Sequence, residues 1–141
     1  MSYFVRTFVD IDYDSVLEVW KQTDMGGAHR GDNLEVILNT LENGGELFVL
    51  IEESSDRVIG TSWITNDSRR LYLHHFGILP EFQGQGFSNL LMDESMKFAH
   101  KLKLQIKLEV HKDNKIARSL YQKYGFKYLG DYEVFIVREI S

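Results

Sequence analysis

The sequence predicts an α/β chain in which one mixed sheet is flanked by helices, in the order β-α-α-β-β-β-α-β-α-β-β. Three observations carry that expectation. Apolar residues alternate from Leu104 to Val110, with Leu104, Ile106, Leu108 and Val110 on one side, the two-residue period of a strand. Leu34, Ile37, Leu38 and Leu41 recur instead at helical spacing. Between these patterns, Gln83-Gly84-Gln85-Gly86-Phe87-Ser88 joins the end of an apolar strand to a long amphipathic segment. At 141 residues and 43% hydrophobic composition the chain can bury one core, so a single domain over 1–141 is expected.

Taken in order, Tyr3 to Phe8 reads as the first strand. Ser15-x-x-Glu18 spells a capping box for the first helix, with Val16, Leu17 and Trp20 on one face. A glycine-containing loop runs from Thr23 to Gly31. Asp32-x-x-Glu35 then opens the second helix, which Gly44 and Gly45 stop. Leu47 to Ile51 and Val58 to Thr65 form a hairpin around Glu52 to Arg57. Leu71 to Leu79 is the next strand, ended by Pro80. Gly86 to Lys103 is helical, with Phe87, Leu90, Leu91, Phe98, Ala99 and Leu102 on a broad apolar stripe. The strand–helix–strand from Leu71 to Val110 should be a parallel, right-handed crossover. Asn114 to Tyr124 is the last helix, ended by Gly125. Phe126 to Leu129 and Val134 to Glu139 close the chain as two short strands, for about seven strands and four helices in all.

Composition narrows the chemistry. Cysteine is absent, which removes disulfides, thiolate metal sites and a cysteine nucleophile, and makes a cytoplasmic protein the default. No run approaches a membrane span, and Met1 to Arg6 does not read as a signal peptide. The net charge of −5 hides a split: residues 1–60 hold twelve Asp/Glu and four Lys/Arg, whereas 97–127 hold nine Lys/Arg and two Asp/Glu. An acidic half suits a cationic substrate and a basic half suits phosphate groups. The overall acidity argues against general nucleic-acid binding. No histidine has metal-ligand spacing such as His-Glu-x-x-His, so no metal is expected.

The glycine junction is the most informative stretch. Gly84 and Gly86 allow a tight turn and close backbone approach to a ligand. The helix that follows offers unpaired N–H groups and its positive dipole end at the same point, a pocket for phosphate oxygens. The alternative is that it is only a turn. A dinucleotide fingerprint would want a third glycine where Asn89 stands, and a P-loop would want Gly-Lys-Ser/Thr, which does not occur. In the last helix Asn114 and Tyr121 are seven residues apart, close to two turns, and share a face with Ala117 between them. The small Ala117 leaves room for a thin ligand arm.

Two motifs in this order resemble the GCN5-related N-acetyltransferase (GNAT) family over nearly the whole chain. The first is Ile78-Leu79-Pro80 leading into Gln83-Gly84-Gln85-Gly86-Phe87-Ser88. The second is Asn114, Ala117, Leu120, Tyr121, Lys123, Gly125 and Phe126. Ser88 departs from the family's Gly or Ala. The resemblance implies a mixed, mostly antiparallel GNAT sheet and acetyl-CoA as co-substrate. It implies that Gln83, Gly84, Gln85, Gly86, Phe87, Ser88 and Asn89 hold the coenzyme A pyrophosphate. Phe76, Gly77 and Ile78 would pair with the pantetheine arm in the manner of an added strand. Asn114 and Ala117 would line that arm, and Tyr121 would face the thioester sulfur as the acid for the leaving thiolate.

With no cysteine for an acyl-enzyme, direct attack in a ternary complex is the natural mechanism. A base is then needed, and His74 is the candidate, since an imidazole titrates near neutrality. A water chain or Glu46 is the alternative. Simple alternation puts Tyr72 and Phe76 on the face of His74 and turns His75 away, unless a bulge exchanges those directions. His29, Arg30, Asp32 and Tyr72 are candidates for the acceptor pocket, while His100 and His111 read as surface residues. The expected acceptor is a small cationic amine. Protein lysine or N-terminal acetylation, and an acyl-CoA-binding module without turnover, are the alternatives. The link Gly130-Asp131-Tyr132 is short for the family, which leaves the acceptor side open or leaves an edge for a homodimer.

Overall fold

The computed structural model describes residues 2–25 and 31–140. The chain divides into two compact units, 1–109 and 110–141.

The first unit is a five-stranded sheet in the order β1-β2-β3-β4-β5, with strands β1 (Tyr3–Thr7), β2 (Glu46–Glu52), β3 (Arg57–Asn66), β4 (Arg70–Ile78) and β5 (Gln105–Leu108). The first four are antiparallel, and β5 lies parallel to β4, as expected of the crossover through α3 (Phe87–Leu102). Helices α1 (Tyr13–Gln22) and α2 (Leu34–Glu42) complete the unit. The core lies on both faces of β2 and β3. Trp20, Leu47, Val49 and Trp63 are buried on one face, and Leu50, Ile64, Leu91 and Met92 are also buried. Ser62 of β3 meets Ser95 of α3 at 2.7 Å, so even positions of β3 face α3 while Thr61, Trp63 and Thr65 face α1.

Both helix starts differ from their sequence signals. Helix α1 begins at Tyr13, after a 3-10 turn at Asp10–Asp12, and Ser15 lies inside it. Asp12 terminates the turn, because its carboxylate accepts from Val9 N at 2.9 Å and from Arg6 at 2.7 and 3.0 Å. Helix α2 is capped by Asn33, whose Oδ1 accepts from Val36 N at 2.9 Å. The N-cap is therefore Asn33 and not Asp32.

The second unit holds α4 (Lys115–Lys123), closed by Gly125 at φ 95 with Phe126 N donating to Tyr121 O at 3.0 Å. Neither Phe126–Leu129 nor Val134–Glu139 is a strand, so the sheet has five strands among the described residues rather than seven. A run of strand-favouring residues is a local signal, whereas a strand exists only when a second strand supplies its ladder.

Candidate active site

Strand β4 organises the site. Its pairing with β3 runs Trp63↔His74 and then Thr61↔Gly77, so His75 and Phe76 together oppose Ser62 in a bulge. His75 sits at φ 43, a region that costs a non-glycine residue energy and tends to mark functional positions. The extra residue turns both imidazoles to the α1 face. His74 and His75 lie 6.2 and 5.4 Å from the Trp63 ring. The expectation that His75 points away from His74 is therefore corrected. Phe76 leaves the face of His74 instead, since Gly77 beyond it faces Met25 and Thr23 and alternation resumes there.

Each histidine is fixed by different partners. His74 Nε2 meets Thr65 Oγ1 at 2.9 Å, and its ring stacks on Tyr72 at 4.4 Å and 16°. Burial holds its imidazole below the usual histidine range. His75 adds to this, against a weaker pull from Glu109 and Asp32. His74 is thus neutral at pH 7. Burial, followed by the hydrogen bond to Glu109, pushes the Tyr72 phenol well above its ordinary range. His75 Nε2 meets Asp32 Oδ2 at 2.8 Å, with the two side chains 23% and 17% exposed. Its ring stands edge-on to Trp20 at 4.8 Å. Its carbonyl accepts from Thr61 Oγ1 at 2.7 Å, and the same hydroxyl accepts from Trp20 Nε1 at 2.9 Å.

Beside His74 and Tyr72 lies a cleft of about 370 Å³, also lined by Thr65, Asp67, Arg69, Arg70 and Lys107. The acceptor candidates separate accordingly. Tyr72 lines the cleft, Asp32 is paired with His75, and His29 and Arg30 lie outside the described residues. Glu46 is not beside the histidines. It pairs with Ile64, on the α3 face, and Lys101 of α3 is among its electrostatic partners. His100 and His111 are exposed, as expected. Among the described residues no group of three metal-ligating side chains converges, and no helix is long and apolar enough to cross a membrane.

The opposite end of β4 leads into the glycine turn. A 3-10 turn over Pro80–Phe82 follows the strand, and Gln83 ties the two together, its Nε2 donating to Ile78 O at 2.8 Å and its N–H to Pro80 O at 3.2 Å. Gln83 therefore spends its main-chain donor on the fold. Gly84 at φ 78 and Gly86 at φ 83 make the turn that only glycine adopts without strain, and no neighbouring atom lies within 4 Å of where a Cβ would stand. Gly86 precedes α3 with no side-chain cap and no acidic residue in the first turn. The first N–H groups of a helix have no partner within it, so those of Phe87 and Ser88 suit anionic oxygens. The Phe87 ring anchors this end 4.3 Å from Tyr3. The ladder between β4 and β5 ends at Leu73↔Leu108, while β4 runs on to Ile78. An uncapped helix start beside a strand that outruns its partner fits a diphosphate with an extended amide-bearing arm, which is the shape of coenzyme A.

In the second unit Asn114 caps α4, its Oδ1 accepting from Ala117 N at 3.1 Å. The side-chain amide N–H groups of such a cap remain as donors. Tyr121 is buried, with its ring 5.7 Å from Phe126, and burial pushes its phenol up to about 12. It therefore carries its proton at neutral pH.

The Acetyltransferase (GNAT) family matches residues 13–126, most of the chain and both motifs. The chain belongs to the GNAT acetyltransferase family. It is an acetyl-CoA-dependent acetyltransferase of that family, and solved structures share its fold. A probable acetyltransferase from meticillin-resistant Staphylococcus aureus is 19% identical with a TM-score of 0.76, over 96% of this chain and 98% of that one. AAC(6')-Iy, solved with the bisubstrate analogue CoA-S-monomethyl-acetylneamine, is 18% identical with a TM-score of 0.77, over all of both chains. The ribosomal-protein-S18-alanine N-acetyltransferase of Escherichia coli is 15% identical with a TM-score of 0.74, over 89% of this chain and 78% of that one. Sequence reasoning missed the Asp32–His75 pair in this GNAT chain. The only signal for it was the option of a bulge in β4.

Proposed function

We propose that residues 1–141 act as a single N-acetyltransferase domain that moves an acetyl group from acetyl-CoA to a primary amine of a small cationic molecule, by direct attack in a ternary complex. The observation that carries this is the pairing, on one strand, of a histidine-bearing bulge with an uncapped glycine turn and helix start. The excess of Asp/Glu in residues 1–60 supports a cationic acceptor.

When bound, acetyl-CoA supplies the activated thioester. The N–H groups from Gly84 to Ser88 hold its pyrophosphate. The end of β4 orients its arm, and a main-chain N–H of Phe76 to Ile78 polarises the carbonyl. One such donor is worth about 2.7–4 kcal/mol in acyl transfer. By the family resemblance, Asn114 and Ala117 would line the arm and Tyr121 would return a proton to the leaving sulfur. A histidine of β4 takes the proton of the amine. The sequence favours His74, an imidazole on the strand just before the residues assigned to the arm, and the bulge brings His75 beside it.

Calorimetry with acetyl-CoA, together with thiol release in the presence of spermidine, tyramine and an alanyl peptide, tests the reading. Binding with release on an amine is expected, and binding without release on any amine would leave only a binding module. Tyr121→Phe should lower kcat by roughly 10²–10⁴ while the Kd for acetyl-CoA stays close to that of the parent.

Val134, Phe135, Ile136 and Val137 are 70%, 87%, 67% and 74% exposed, a contiguous apolar run that supports a homodimer. Sedimentation of the full chain tests this, and a monomer at all concentrations would remove it.

A further inference from the structure

We propose that Asp32 and His75 form a proton-accepting dyad in which His75, rather than His74, takes the proton of the acceptor amine at Nδ1, and Asp32 is the residue that positions it. This rests on the acetyl-transfer reading of the same site.

An ionised carboxylate only accepts, so the 2.8 Å contact with Asp32 Oδ2 places a proton on His75 Nε2. A neutral ring with Nε2 protonated carries its lone pair on Nδ1. When Nδ1 gains a proton, the same contact becomes a charge-assisted bond and stabilises the imidazolium. This is the logic of a base oriented by a third group. His74 lacks that support. Its Nε2 is engaged with the Thr65 hydroxyl, one ring face is covered by Tyr72, and burial disfavours its cation.

The surroundings of His75 point the same way. Its left-handed φ of 43 is held by the Thr61 hydroxyl on its carbonyl, with Trp20 against its ring. Asp32 stands one residue before Asn33, whose side chain caps α2. Among the described residues the titratable groups around the pair are His74 on β4 and, acting through His74, Glu109 beyond β5. Helix α1 presents Trp20, and β3 presents Trp63 and Thr61, none of which titrates.

The step balances. His75 Nδ1 collects the amine proton as the N–C bond forms and the C–S bond breaks, and sulfur regains one proton from the acid, the role the family resemblance assigns to Tyr121.

Two measurements test this. Long-range ¹H–¹⁵N spectra of the imidazoles, assigned with His75→Gln, should show His75 protonated at Nε2 and bare at Nδ1 near pH 8. Asp32→Asn should mix the two tautomers. A His75 that is doubly protonated at pH 8, or protonated at Nδ1, overturns the proposal. In thiol release from acetyl-CoA with spermidine, tyramine or an alanyl peptide, His75→Gln should lose roughly 10²–10⁴ in kcat and the acidic limb of the pH–rate profile. Asp32→Asn should also lower kcat, by populating the wrong tautomer, with a loss of up to roughly 10⁴. His74→Gln should keep that limb even where its rate falls. A limb lost in His74→Gln and kept in His75→Gln overturns the proposal. A parent protein that neither binds acetyl-CoA nor releases thiol would refute the acetyl-transfer reading instead, and the imidazole spectra would still decide the dyad.

Discussion

The two faces of the sheet are built on different principles. The face toward α3 is closed with apolar side chains around Leu91, Met92 and Ala99, and the Ser62–Ser95 contact at 2.7 Å is its buried polar pair. The face toward α1 carries a chain of polar contacts through Trp20, Thr61, His75 and Asp32, with Thr65, His74 and Tyr72 beside it. Buried polar groups cost free energy unless each finds a partner, and among the described residues every buried side-chain polar atom has one, so the network fixes these side chains in place. Both faces bury core side chains, but only the α1 face sets such a network around a strained bulge, and that is the face to which we assign the chemistry.

The largest stability effect should come from the α3 face. Leu91→Ala removes a fully buried side chain and should cost about 2–5 kcal/mol in denaturant unfolding. The KM for acetyl-CoA should not change in the fraction that remains folded. Thr61→Val tests the other face. It leaves the buried Trp20 indole N–H without its acceptor and should cost roughly 1–3 kcal/mol. It also releases the carbonyl of His75, so kcat should fall as well, and loss of stability without loss of turnover would blur the distinction between the faces. Ser62→Ala should cost only about 1 kcal/mol, because Ser95 keeps its bond to Leu91 O at 2.7 Å.

The smallest effect is a slope. The folded state holds His74 below the ordinary histidine value, so between that lowered value and about 6.5 the unfolded chain binds more protons. Stability should therefore fall as pH drops through this window, and His74→Gln should flatten that dependence in a series of unfolding curves. An unchanged slope would place the acid sensitivity elsewhere.

Much of this was legible in the sequence, and the rest was hidden for identifiable reasons. The first five strands and the four helices follow from period and turn residues, because Leu34, Ile37, Leu38 and Leu41, or Leu104, Ile106 and Leu108, have only one way to share a face. The cap spellings misled at Ser15 and Asp32. A capping box describes a local option, and in both places neighbouring acceptors won: Asp12 through Arg6 and Val9, and Asn33 through Val36. The glycine turn and the Asn114–Tyr121 helix stood out because backbone chemistry demands those residue types. Asp32 and His75 are 43 positions apart, and their meeting depends on one extra residue in β4, which no periodicity reveals. The two final strands were over-read because a run of strand-favouring residues does not say whether a partner exists.

The claim on which the account depends is that the glycine turn and the end of β4 together hold acetyl-CoA. Titration of acetyl-CoA into ¹⁵N-labelled protein tests it residue by residue. We expect the amide resonances of Gly84 to Ser88 and of His74 to Ile78 to move together and saturate, while those of β1 and β2 stay in place. If the Gly84 to Ser88 resonances do not move at millimolar acetyl-CoA, the assignment of this site is contradicted.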